Sequence, residues 1–288
     1  MARNFASLYS HDFVRIGSCV PRTKVAGVEE NLAETIQLAK LGSAAKAAIV
    51  LFPELGLSSY AIDDLFFQHA LQDAVQSALA RLVEASCELF PALIVGAPLQ
   101  WQGSLYNAAV VIHNGAVLGV IPKTYLPNYR EYYERRYFQS GAGICGERIK
   151  VGAKDAPFGT DLLFCSEGSL SFTFHVEICE DLWAPIPPST GAALAGAELL
   201  FNLSASNIVI GKAETRRLLC ASQSERALAA YAYSAAGPGE STQTWPGMVK
   251  PLSSNAEIGS PRRNVSRAIR KPSSPMLTLE GFVKSGCA

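Results

Sequence analysis

The sequence predicts an α/β fold, a mixed sheet with helices on its outer side, and three observations carry that prediction. Short continuous apolar runs at 47–52 (A-A-I-V-L-F), 92–98 (A-L-I-V-G-A-P) and 198–203 (E-L-L-F-N-L) read as strands buried on both faces. Stretches at 28–45, 68–87 and 211–230 alternate with them and read as helices. Asn114-Gly115, set between apolar runs at 106–112 and 117–121, marks a hairpin, so the sheet is not wholly parallel.

In chain order, residues 13–20 form a first strand ended by Pro21, and Val28, Leu32, Ile36, Leu38 and Ala39 set the apolar stripe of the first helix. Strand 47–52 runs straight into Pro53-Glu54. A carboxylate at the C-terminal end of a buried strand lies where open α/β sheets place their sites. Its neighbours Phe52, Leu55 and Leu57 argue against full solvation. Tyr60 follows, and Asp63 or Asp64 is expected to cap helix 68–87. The second arm of the hairpin ends in Pro122-Lys123, which would put a fixed cation at the mouth of the sheet.

Residues 124–138 (T-Y-L-P-N-Y-R-E-Y-Y-E-R-R-Y-F) interleave tyrosine with arginine, a composition that can stack on single-stranded nucleic acid. Two glutamates offset much of that charge, so the segment reads instead as an ordered loop walling a small-molecule pocket. Strands at 162–165 and 170–178 lead to Cys179 in V-E-I-C-E-D-L-W, and Pro185, Pro187 and Pro188 then stop regular pairing. A short helix at 190–197, with Ser189 or Thr190 as its cap, precedes strand 198–203. Helix 211–230 and a last strand at 231–235 close the series before Gly237-Pro238-Gly239.

A cysteine at the end of a buried strand, facing a loop, is held rigidly and suits a nucleophile. Glu177, Glu180 and Asp181 surround Cys179, so a cation or base must come from elsewhere in the chain if it reacts. The composition narrows the setting. With a formal net charge of +0, nothing suggests an extended polyelectrolyte partner, and no nucleic acid is expected. The seven cysteines are scattered singly, which points to free thiols in a reducing, cytoplasmic compartment. His175 and Cys179 lie four apart but lack a second ligand pair, so no metal is expected. The N-terminus lacks the apolar core of a signal peptide, and no apolar run is long enough to span a membrane.

Glu54, Lys123 and Cys179, each ending a predicted strand, resemble in their order the nitrilase superfamily of carbon–nitrogen hydrolases. Longer strings, F-P-E-L-G-L-S-S-Y, P-K-T-Y-L-P-N-Y-R-E-Y-Y-E-R-R-Y-F, V-E-I-C-E-D-L-W and N-L-S-A-S-N-I-V-I-G-K-A-E-T-R, resemble the glutaminase domain of glutamine-dependent NAD+ synthetases. The resemblance runs over residues 5–242. It implies a nitrilase-like α-β-β-α sandwich, usually packed as a homo-oligomer, with L-glutamine as substrate and ammonia passed to a synthetase domain. It also implies roles. Cys179 would attack the side-chain amide, Glu54 would carry the proton, and Lys123 with the backbone N–H of Glu180 would stabilise the oxyanion. Glu134 would be the second glutamate, with Glu131 the alternative. Tyr129, Ser206 and Lys212 would bind glutamine, with Tyr60 nearby. A Cys–His mechanism fits less well, because only His11, His69, His113 and His175 are present and a glycine-flanked nucleophile turn is missing.

Two features depart from that pattern. The phosphate-binding signature S-G-G-x-D-S of the synthetase domain is absent, so no cofactor is expected here; ATP and Mg would belong to that missing domain. Residues 243–288 form a basic tail rich in serine and proline, expected to be disordered or foreign to the fold and to be cut first by protease. Three readings follow: the glutaminase portion of a shortened NAD+ synthetase, a free-standing amidase or nitrilase on another small amide, or an inactive product with an incomplete sandwich.

Overall fold

Residues 7–166, 171–207, 209–240 and the backbone of 276–279 are described by the computed structural model. The predicted apolar runs become strands of two sheets. The first contains β1 (Ile16–Ser18), β2 (Ile49–Leu51), β3 (Ala92–Trp101), β4 (Ser104–His113), β5 (Ala116–Pro122), β6 (Glu147–Val151) and β7 (Lys154–Phe158). Their spatial order is β1-β2-β3-β4-β5-β7-β6. The second contains β8 (Leu163–Ser166), β9 (Phe172–Ile178), β10 (Leu199–Ser204), β11 (Ala230–Ala235) and β12 (Met276–Leu279), in the order β11-β10-β9-β8-β12. Parallel pairing joins β1, β2 and β3, and again β9, β10 and β11, while the β3-β4-β5 meander is antiparallel. The sheets are mixed, as the hairpin required. Asn114 and Gly115 at its turn both take positive φ, 45° and 73°.

Period-two alternation decides which way each strand faces. Ile49 and Leu51 of β2 join Ile94, Val111 and Ile121 in an interior shared with Phe164, Phe174, Val176, Phe201 and Leu203 of the second sheet. Val50, from the same β2, turns outward to α1 (Val28–Ala44) and α2 (His69–Ala85), packing with Leu32, Val75 and Leu79. On the far side, Leu200 and Tyr231 pack with Ala192 of α3 (Pro188–Leu194) and Leu219 of α4 (Lys212–Ala227). Helix, sheet, sheet and helix therefore stack in that order, the α-β-β-α sandwich implied by the resemblance.

Several local expectations are corrected. Asp63 and Asp64 do not cap α2; they open a short 3-10 turn, Asp63–Phe67, and Gln68 precedes the helix. Ser189 and Thr190 do not cap α3, which starts at Pro188, a residue suited to the first helical position because its missing N–H needs no partner. The hairpin β6–β7 went unpredicted. Its strands are charged and Pro157 interrupts them, which is the composition of a sheet edge and not of a core. Of the expected tail, Met276–Leu279 pairs in parallel with β8, and residues 243–275 and 280–288 lie outside the described residues.

Candidate active site

Three side chains delivered by different strand ends meet with a fourth from the tyrosine-rich loop. Glu54 follows β2 on a loop that crosses Gly96 of β3. A Cβ at Gly96 would lie 2.3 Å from the Leu55 nitrogen and 2.6 Å from the Pro53 carbonyl oxygen, so only glycine admits the loop. Glu54 is fully buried. Its Oε1 accepts from Lys123 Nζ at 2.6 Å and Asn107 Nδ2 at 2.7 Å, and its Oε2 accepts from the Ala205 N–H at 2.8 Å. Lys123 leaves β5 with its N–H on the Asn107 carbonyl and its side chain fully buried. Its ammonium also donates to Glu134 Oε1 at 2.6 Å.

Glu134 begins a 3-10 turn in the loop predicted to wall a pocket, and Tyr60 O–H donates to the same oxygen at 2.6 Å. Glu131, the alternative second glutamate, accepts from Asn207 Nδ2 instead. The geometry thus favours Glu134. Burial pushes its carboxyl up to about 7, with Lys123 opposing and Glu54 adding to the rise. Burial also works against the Lys123 ammonium, but the Glu134 and Glu54 carboxylates outweigh it and hold the group well above the ordinary lysine value.

Cys179 opens the turn Cys179–Trp183 directly after β9, with φ of 45°. A non-glycine residue in the left-handed region is strained, and here the surroundings hold it. Asn202 Oδ1 accepts the Cys179 N–H at 3.1 Å, and Asn202 Nδ2 reaches the Cys179 carbonyl at 3.5 Å. Asp181 ties the two sheets together beside it, accepting N–H groups from Ile178 at 2.9 Å, Thr124 at 3.1 Å and Tyr125 at 2.8 Å. Cys179 is 7% exposed, and burial pushes its thiol up to about 12. Glu54 adds to that rise, and Lys123 and the Ser204 hydroxyl oppose it. Lys123 is therefore the cation that the local sequence lacked.

The expected glutamine-binding residues are less closely grouped. Tyr60 touches Glu134. Tyr129 is exposed, and its hydroxyl donates to the Glu180 carboxylate at 3.0 Å. Lys212, the first residue of α4, donates to Asn207 Oδ1 and Tyr132 and lies 5.3 Å from the Tyr132 ring centre and 5.4 Å from that of Trp183. Ser206 is buried, with its N–H on Ser204 Oγ. A cavity of about 770 Å³, lined by Tyr129, Glu180 and Trp183 together with Thr124, Phe138 and Ser140, opens beside this group. It does not reach Cys179 itself. Asn107, Tyr132, Asn202 and Ser204 were not singled out from the sequence, although N-L-S within the quoted β10 string contains two of them. His175, considered there beside Cys179, directs Nδ1 to the Leu162 carbonyl at 3.0 Å. Among the described residues no group of three or more His, Cys, Asp or Glu side chains is placed to hold a metal ion, and no helix is long and apolar enough to cross a membrane.

The chain is 53% identical over 239 residues to the glutamine-dependent NAD(+) synthetase of Mycobacterium tuberculosis, covering 83% of this chain and 35% of that protein. The corresponding protein of Mycobacterium leprae is 49% identical over the same length. The chain thus spans about a third of the length of the curated relatives it matches. Among solved structures, the glutamine-dependent NAD+ synthetase of Acinetobacter baumannii superposes with a TM-score of 0.63 at 24% identity, over 77% of this chain and 38% of that one. An amidase from Nesterenkonia superposes with a TM-score of 0.62 at 18% identity, over 78% of each. These superpositions speak for the fold. The carbon–nitrogen hydrolase family model matches residues 15–249, a span that includes every strand end contributing to the site, and the chain belongs to that family.

Proposed function

We propose that this site releases ammonia from L-glutamine through a thioester on Cys179, as the glutaminase portion of a glutamine-dependent NAD+ synthetase. The observation that carries the reading is Lys123 Nζ held 2.6 Å from two buried carboxylates, Glu54 and Glu134, next to a buried cysteine. An amide needs a nucleophile, a proton carrier for its leaving amine and a stabiliser for the oxyanion. Cys179 Sγ attacks the amide carbon while its proton passes to Glu54. The carbon–nitrogen bond then breaks, and Glu54 returns the proton to the departing ammonia. Glu54 next takes a proton from water, which attacks the thioester; the carbon–sulfur bond breaks, glutamate leaves and Glu54 returns the proton to the sulfur.

Lys123 and the backbone N–H of Glu180 receive the oxyanion. Glu134 fixes the lysine head. Tyr60, Tyr129, Ser206 and Lys212 bind the substrate, with Lys212 pairing the α-carboxylate. In intact relatives the ammonia acceptor is the synthetase domain, which also takes ATP and Mg; homo-oligomer formation and a cytoplasmic setting belong to the same reading.

The test is ammonia release by the purified 288-residue chain from glutamine, compared with aliphatic amides and nitriles. Glutamine should be preferred, an electrophilic glutamine analogue should label Cys179, and Cys179→Ala should abolish both. Preference for another small amide would point to a free-standing amidase. Labelling centred on Cys145 or Cys220 would overturn the nucleophile assignment. The chain should form no NAD+ from glutamine, ATP and the deamido dinucleotide, because its sequence lacks S-G-G-x-D-S.

A further inference from the structure

Cys179 has a second polar neighbour that the mechanism above does not use. Ser204, the last residue of β10, is fully buried, and its hydroxyl lies 3.3 Å from Cys179 Sγ. The same oxygen has two other partners, the N–H of Ser206 at 3.1 Å and the hydroxyl of Tyr233 on β11. An amide N–H can only donate, and the Tyr233 hydroxyl also donates to Ser204. Both lone pairs of Ser204 are then engaged, and its single proton is directed at the sulfur. A donor aimed at sulfur favours thiolate over thiol, because a hydrogen bond to a charged acceptor is roughly twice as strong.

The other groups around the thiol do not duplicate this contact. Glu54 and Glu134 disfavour a negative sulfur, whereas Lys123 and Lys212 favour it. Tyr60, Tyr129 and Tyr132 are held neutral, burial being the first cause in each. On the thiol's own turn, Glu180 is engaged by Tyr129 and Asp181 by backbone N–H groups. Ser204 alone donates a hydrogen bond to the sulfur among the described contacts.

We propose that Ser204 is a further catalytic residue, the hydroxyl donor that stabilises the negative charge on Cys179 Sγ as its proton leaves, and that Tyr233 is the positioning residue that sets the direction of the Ser204 proton. The proposal rests on Cys179 being the nucleophile. The thiol proton goes to Glu54 as before, and Ser204 keeps its own proton throughout. Its hydrogen bond weakens as the sulfur electron pair forms the bond to carbon, and it re-forms when hydrolysis returns that pair to sulfur.

The experiment measures the rate at which iodoacetamide alkylates Cys179 across about pH 6–10, read from the peptide that carries it, for wild type, Ser204→Ala and Tyr233→Phe. Ammonia release from glutamine and thermal unfolding are measured in parallel. Ser204→Ala should move the profile up by about one pH unit and slow alkylation near neutral pH about tenfold. Tyr233→Phe should move it in the same direction by less, about threefold in rate. A Ser204→Ala profile that overlays wild type, in a chain that still hydrolyses glutamine, overturns the proposal. If Ser204→Ala does not fold, Tyr233→Phe decides, and an unmoved profile there is equally adverse. If wild type releases no ammonia and Cys179 alkylates no faster than exposed Cys87 and Cys145, the nucleophile reading fails, and this proposal with it.

Discussion

Lys123 is bonded to two carboxylates in a space closed to water, and that makes it structural as well as chemical. Its removal leaves Glu54 and Glu134 buried without their cation, a change that costs about 3–5 kcal/mol. Lys123→Ala should therefore lower stability by that order in denaturant unfolding, besides abolishing ammonia release. Cys179→Ala removes one small group and should cost about 1 kcal/mol or less. A strand-end position alone suggests that both substitutions spare the fold; the ion pairs restrict that expectation to the cysteine. Glu240 was not foreseen at all, because it follows the last predicted strand in what reads as a loop. Its Oε2 accepts the Tyr60 N–H at 2.9 Å, and burial pushes its carboxyl up to about 7. Folding holds that proton more tightly than the unfolded chain does. Its contribution is thus fully present below the ordinary value of 4.5 and is lost as pH rises to about 7. The displacement is worth about 3 kcal/mol at most. Glu240→Gln should flatten the fall in stability between those two pH values, and an unchanged slope would remove Glu240 as its source.

Elements deliver these residues by crossing one another closely, and such crossings are where sequence pattern is least informative. The loop after β2 passes over Gly96, and a methyl group there must displace it. Gly96→Ala should cost about 1–3 kcal/mol from overpacking and reduce turnover about a hundredfold through a shift of Glu54. The turn after β9 depends on β10 in the same way, since Asn202 holds both backbone polar groups of Cys179. Asn202→Ala should lower kcat by about tenfold or more with little change in KM, because the substitution relaxes the nucleophile without touching substrate. A rise in KM alone would argue against that role. Strand ends at Glu54, Lys123 and Cys179 were legible because apolar runs stop there abruptly. Asn107 and Asn202 lie inside strands and Ser204 ends one, and their role depends on partners more than 20 residues distant, which no local pattern reveals.

At the scale of the whole molecule, alternating strands and helices announced an α/β fold, but the division into two sheets did not follow from periodicity. It came from family-like strings, since the pairing of β5 with β7 and the facing of Ile94 toward Phe174 are not written in any short window. The division also splits the chemistry. Glu54 and Lys123 leave the first sheet, whereas Cys179 leaves the second. Refolding from denaturant should accordingly restore far-ultraviolet dichroism before ammonia release, because each sheet can pair its strands before the two faces close. Recovery of both signals at one rate would show that the sheets form only together. The order of the strands along the chain has a further consequence during synthesis. A nascent polypeptide emerges N-terminus first, so one that has reached β7 carries the proposed base and cation but no nucleophile. On the proposed roles no translation product that ends before Cys179 cleaves an amide, and ammonia release begins only when the second half of the sandwich has arrived and closed over the first.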